Sequence, residues 1–230
     1  MIRSRIVVSL VVLGLVAGCA EERPDDTAAS AGADAMTESG PPAPSGGAAV
    51  GSQEPADVQS AWWSWAAGSP SGRNPVEDAT GEFCAVDQPS DLWFLAGTFG
   101  GSVTRRCDVP VGRTLVAPVV NQRGSEGLCA YFMETATGTL TVDGKEAALK
   151  RWPAVPITIT GVAGNPASDE GTVRAYGCGL WGVIPPLTPG PHKVAIRGSS
   201  GDFRTSANYE LTVTSEPRQQ KTQTPFVAAA

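Results

Sequence analysis

Few side chains in this 230-residue chain are equipped for chemistry, and their spacing narrows what that chemistry could be. There is one histidine, His192, between Pro191 and Lys193. A nucleophilic triad would have to use it as the base, with Asp169, Glu170 or Asp202 orienting it and a serine attacking. The nearest serines, in Gly198-Ser199-Ser200-Gly201, lack the Gly-x-Ser-x-Gly spacing that lifts a nucleophile onto a strand-to-helix elbow. Glycoside hydrolysis needs only two carboxyl groups at a suitable separation. The candidates Glu126, Glu134, Asp169 and Glu170 fall mostly in turns, where solvation is the ordinary state. The oxygens of Asn74, Glu77, Asp78 and Glu82 do not follow the Asp-x-Asp-x-Asp-Gly order of a calcium loop, and a capped turn explains them better. Gly97 to Ser102 is glycine-rich but lacks the Gly-Lys-Ser/Thr ending of a phosphate cradle. No catalytic residue, metal site or cofactor is expected.

The cysteines are more informative. Cys84, Cys107, Cys129 and Cys178 have no Cys-x-x-Cys spacing and no histidine beside them, which argues against zinc. An even number in an exported chain favours disulfides, and four allow three pairings. Cys84 and Cys107 flank the apolar run Leu92–Ala96, so a bridge would tie its two ends and leave Cys129 for Cys178; the other pairings stay open. The fifth, Cys19, follows a different logic. Arg3 and Arg5 precede an uncharged run from Ile6 to Val16, and small residues then lead into the cysteine. That is the layout of a secretory signal, too short for a stable span of about 20 apolar residues. The ending Leu15-Val16-Ala17-Gly18-Cys19 resembles the lipobox of bacterial lipoproteins. The resemblance implies cleavage before Cys19, thioether lipidation of its sulfur and acylation, for example by palmitate, of the new amino terminus. The membrane is then a partner through the lipid anchor. The expected location is the cell membrane or outer membrane, with the domain facing the periplasm or the exterior.

Residues 19–56 are Ala, Gly, Ser, Pro, Thr and acid with almost no large apolar side chain, and are expected to be a disordered tether. The net charge of −6 is concentrated there, because residues 19–60 set Arg23 against eight acids. The remainder is close to neutral, which gives no footprint for nucleic acid. The expected organisation is a signal peptide over 1–18, the lipidated cysteine and tether over 19–56, a domain over 57–216 and a flexible tail over 217–230.

The domain begins with a helix from Asp57, its cap, to Ala67. Val58, Ala61, Trp62 and Trp65 share one face with Trp63 beside it, and aromatics at this spacing are expected to pack the helix onto its own domain, Trp63 being the nearest of them to the surface. Trp63 and Trp181 are the candidate ligand-binding residues of a carbohydrate platform. Strands are expected over 92–96, 103–109, 114–120, 155–160, 172–176, 180–184, 192–197 and 207–214. Thr139–Val142 and Lys145–Leu149 form a hairpin around Asp143-Gly144. Ser125 starts a short helix through Ala136, with Leu128, Tyr131, Phe132 and Thr135 on one face; a strand exposing Cys129, Tyr131 and Met133 on one side is the alternative.

The succession Gly81…Cys84…Gln88, Trp93-Phe94-Leu95-Ala96-Gly97-Thr98, Arg106-Cys107, Pro118-Val119-Val120-Asn121, Val142-Asp143-Gly144 and Pro186-Leu187-Thr188-Pro189-Gly190-Pro191-His192 is similar to a group of secreted bacterial proteins. The likeness spans most of 62–214 and implies a fold unit but no particular reaction; Arg113 stands where lysine is usual. The whole points to a mainly β fold, an antiparallel β-sandwich of jelly-roll type with one or two short helices. The expected function is a non-catalytic binding or structural role at the cell envelope, with a glycan or an envelope protein as partner. A carbohydrate-binding module, and a cell-wall or glycan hydrolase with paired carboxylates, are the alternatives.

Overall fold

A computed structural model describes residues 54–215; the signal segment, Cys19, the tether up to residue 53 and the tail from 216 lie outside the described residues. Helix α1 (Pro55–Ala66) starts on a proline, whose missing N–H is no loss in a first turn. Glu54 occupies the cap position without a side-chain bond, so the expected cap, Asp57, sits instead within the first turn, where its charge suits the helix dipole.

Nine strands follow: β1 (Leu92–Phe94), β2 (Gly101–Pro110), β3 (Thr114–Gly124), β4 (Thr137–Val142), β5 (Lys145–Glu146), β6 (Leu149–Gly161), β7 (Gly171–Ile184), β8 (Gly190–Ser200) and β9 (Phe203–Thr214). Helix α2 (Glu126–Thr135) lies between β3 and β4, and the Ser125 hydroxyl accepts from the Leu128 amide at 3.1 Å, the cap expected there. Its buried face is Cys129, Phe132 and Met133, whereas Leu128 and Tyr131 are exposed. Asp143 (φ 51°) and Gly144 (φ 78°) both take positive φ, as a primed hairpin turn requires.

The strands form two sheets, β1-β3-β7-β6 and β2-β9-β8-β4-β5. Leu115, Val119, Leu140, Ile196 and Leu211 belong to one core shared by the sheets, which makes the mainly β fold a sandwich. The sheets are mixed rather than purely antiparallel. β1 runs parallel to β3 and β2 parallel to β9. The reason is the path of the chain: after β1 it crosses to the second sheet as β2 and returns as β3, so β1 and β3 meet head to head. The two segments expected around Gly177-Cys178-Gly179 are one strand, β7. A Cβ at Gly177 would lie 2.9 Å from the Gln59 side-chain oxygen, so glycine there lets α1 come close. Both register shifts in the first sheet fall at prolines within strands, Pro118 in β3 and Pro153 in β6, where a ladder donor is missing.

Helix α1 covers the outer face of the first sheet. Trp62, Trp65, Phe94, Trp152 and Trp181 make a second core between them. Central strands β3 and β7 are therefore buried on both faces, which is why they read as continuous apolar runs. The Ser60 and Ser64 hydroxyls accept from the Thr158 and Thr160 amides at 3.2 and 3.1 Å, closing the exposed edge of β6.

This layer bears out the packing of the helix tryptophans and corrects the alternative of a carbohydrate platform. Trp63 is 7% exposed and Trp181 0%, so neither is a surface platform for a sugar. The rings pack edge-to-face in the α1 layer, Trp62 against Trp63 at 5.0 Å and against Trp181 at 5.7 Å. The interior of an α1–sheet layer was the better home for them.

Two disulfides staple the domain. Cys84–Cys107 ties the loop before β1 to β2, and Cys129–Cys178 ties α2 to β7. Such bridges belong to an oxidising, extracytoplasmic compartment. Among the described residues no helix is long and apolar enough to cross a membrane.

Candidate functional site

His192, the one histidine, is committed to structure. Its Nδ1 lies 2.7 Å from the Asp143 carboxylate and its Nε2 2.8 Å from the Thr188 carbonyl oxygen. Both partners are acceptors, an arrangement that favours the protonated ring. Its partner is Asp143 on the β4–β5 turn, not Asp169, Glu170 or Asp202. The hydrogen bond that the ring donates to Asp143 raises the His192 pKa above its ordinary 6.5, and the Thr188 carbonyl adds to this against the opposing effect of burial. Asp143 is lowered from 3.8, first by the Lys193 amide and then by His192. The stabilising contribution of the histidine is complete below the unfolded value of 6.5 and is lost as pH rises through the higher folded pKa. That of Asp143 is complete above 3.8 and is lost as pH falls through the lower folded pKa, so the clasp is strongest between these two values. Asp143→Asn should return the single histidine's NMR titration midpoint toward about 6.5. An unchanged midpoint would show that the carboxylate does not hold the ring.

This clasp borders a cavity of about 910 Å³ that also carries Glu82, Asp108 and Glu210. Glu210 is occupied by Arg106 at 2.8 Å, and Asp143 by His192. Glu126, Glu134, Asp169 and Glu170 are all exposed and line neither this cavity nor the cleft described below. The Asn74–Glu82 loop is a set of capped turns: the Asn74 side chain accepts from the Val76 amide, and Asp78 from the Thr80 and Phe83 amides. Burial pushes the Asp78 carboxyl up, but hydrogen bonds from the Phe83, Thr80 and Gly81 amides outweigh it and its pKa is lowered. Among the described residues no cluster of metal-ligating side chains occurs.

A second group, unforeseen from the sequence, organises the other end of the sandwich. Arg105 on β2 is fully buried, yet no carboxylate faces it. Its Nε donates to the Asp78 carbonyl at 2.6 Å and Nη2 to the Val76 carbonyl at 2.9 Å. Nη1 donates to the Ala96 and Gly97 carbonyls at 2.8 and 3.0 Å and to the Tyr209 hydroxyl at 2.7 Å. Tyr209 in turn donates to the Ala96 carbonyl and accepts from the Ala96 amide. One guanidinium thus binds two loops to β9 through neutral oxygens. The Thr98 amide donates to Thr205 Oγ1 at 2.8 Å, extending that hold to the residue before Phe99.

The anchored Gly97–Phe99 segment forms one wall of a cleft of about 590 Å³. The end of β3, α2 and the β8–β9 turn supply the others, and the Trp62 and Trp63 indoles line it from the α1 side. Its volume suits a small molecule. Five large apolar side chains are exposed among the described residues, and Phe99 (50%), Leu128, Tyr131 (72%) and Phe203 all line this cleft; Val162 is the exception. The four come from three separate stretches of chain, and single exposed apolar residues are otherwise unremarkable. Asn121 and Arg123, both on one side of β3, contribute polar groups. Arg123 Nε donates to the Ala167 carbonyl at 2.7 Å, and its guanidinium stands 5.9 Å over the Trp63 ring. Asn121 Nδ2 is buried without a hydrogen-bond partner. No spacing rule joins Phe99, Tyr131 and Phe203, so nothing in the sequence singled them out.

No family model and no curated protein matches this chain. A family 123 glycoside hydrolase from Clostridium perfringens, whose structure was described for glycolipid glycan hydrolysis, aligns over 50% of this chain at 9% identity with a TM-score of 0.19. This chain spans about a quarter of that protein's length (24%), and a likeness so slight carries no argument about fold or activity.

Proposed function

We propose that the chain is a lipid-anchored lipoprotein of the bacterial cell envelope whose sandwich domain binds a ligand in the aromatic-rimmed cleft and does not act as a catalyst. The observation that carries the binding role is the convergence of Phe99, Leu128, Tyr131 and Phe203 on one cavity, when among the other large apolar side chains described only Val162 is exposed. Exposed apolar groups gathered round a pocket are the usual mark of a binding surface. Both nitrogens of His192 are engaged by Asp143 and Thr188, which leaves the ring no free position from which to act as a general base. The anchor rests on the Leu15–Cys19 segment, and the disulfides support an extracytoplasmic setting.

The two halves of this reading are tested separately. In cells fed labelled palmitate, the chain should take up label and Cys19→Ala should abolish it; undiminished labelling of the variant would refute the anchor. For the cleft, the neutral apolar dye N-phenyl-1-naphthylamine should brighten on binding. The Tyr131→Ser/Phe203→Ser double variant, whose side chains are exposed and leave the fold intact, should weaken that binding at least tenfold. Equal dye affinity in the two proteins would remove the cleft from consideration.

A further inference from the structure

We infer that the cleft selects a small organic acid, a single carboxylate on an aryl or alkyl body, rather than a neutral ligand such as a glycan. The inference rests on the cleft being a binding site and adds the chemistry of what enters it. The apolar rim accounts for the body of such a ligand. The head group follows from Arg123. Among the described residues the ion pairs are Arg106–Glu210 and His192–Asp143, so Arg123 has no carboxylate partner. Its Nε is held by the Ala167 carbonyl and its guanidinium carbon stands over the Trp63 ring, which fixes the group, while Nη1 and Nη2 bond no acceptor among the described residues.

A half-buried, oriented guanidinium with two unused terminal nitrogens is built for the two oxygens of a carboxylate. Two residues earlier on the same side of β3, Asn121 Nδ2 is buried and lacks an acceptor. Leaving such a donor unmatched is unfavourable, and a turn of the carboxamide about its last torsion would present it to a ligand oxygen. Both groups are donors, so the polar end of the site asks for an acceptor. Asp202, the one carboxylate in the lining, is exposed on the β8–β9 turn and disfavours a second negative charge at the mouth. A neutral sugar would leave the guanidinium fork without its charged match.

The test compares two probes of nearly the same shape, 1-naphthylacetate and 1-naphthylacetamide, by calorimetry and by quenching of tryptophan emission at low salt. The anion should bind at least tenfold more tightly than the amide. Arg123→Met should reduce that preference below twofold, with the larger loss falling on the anion. Arg123→Lys, which keeps the charge but loses the fork, should fall between, and thermal melting of each variant reports whether the fold is retained. Equal affinity for acid and amide in the wild type, or a preference that survives Arg123→Met, would overturn the inference while leaving a binding cleft in place. Failure of both probes to bind, together with failure of the neutral dye, would overturn the cleft itself.

Discussion

Replacing Arg105 by methionine should destabilise the domain by about 3–5 kcal/mol, the largest effect expected of any single substitution here. Methionine fills much of the volume but donates no hydrogen bond. The Ala96 carbonyl keeps its bond from Tyr209, whereas the Val76, Asp78 and Gly97 carbonyls lose the guanidinium donors described above. Three buried acceptors at about 1–3 kcal/mol each set the scale, less whatever water recovers. Arg105→Lys keeps the charge but offers three donors from one point, too few and too close together for oxygens spread over two loops and β9. It should recover less than half of the loss. Urea unfolding of the purified proteins measures both, and the melting temperature should fall by about 10 °C or more for the methionine variant. A loss under 1 kcal/mol would mean that the loops find other donors. Because Arg105 also holds Gly97, the wall beside Phe99 should loosen in the same variant, and weaker binding of the neutral dye should accompany the lost stability.

Removing the Cys129–Cys178 bridge by a double alanine substitution should lower stability by about 4 kcal/mol. The estimate comes from the entropy regained by an unfolded loop closed across a sequence separation of 49. The Cys84–Cys107 bridge closes a separation of 23 and should matter less, by roughly 0.7 kcal/mol. Denaturant midpoints of the two double variants give the order. If the shorter bridge proves the more important, its work lies in the native state, steadying the loop whose Asp78 carbonyl holds Arg105. The longer bridge has a second consequence. It ties α2, which carries Leu128 and Tyr131, to β7, so its removal should weaken ligand binding even under conditions where the domain stays folded.

Local rules carried part of this structure. Several rules that concern residues within one or two turns of each other were sufficient, although the cap of α1 and the buried face of α2 were not among them. Ser125 caps α2, Asp143-Gly144 makes the primed turn, and alternation along 155–160 and 207–214 marks half-buried strands. Trp63 shows where such rules stop. Periodicity placed it beside the buried face of a helix, but whether it met solvent depended on what lay across from it. The parallel pairs β1·β3 and β2·β9 were equally hidden, because side-chain alternation records which face of a strand is buried and not which neighbour it pairs with.

By itself the sequence determined the mainly β composition, the even set of domain cysteines, the start of each helix to within three residues and the acidic character of the stretch before the domain. Those properties depend on composition and short-range chemistry. Tertiary structure alone decided that Arg105 is a buried hub, that His192 is a clasp rather than a base, and that Phe99, Tyr131 and Phe203 share a cleft with Arg123. Each of those depends on residues brought together from distant parts of the chain, and the free energy that joins them comes from burial and pairing that exist only once both sheets and α1 are in place.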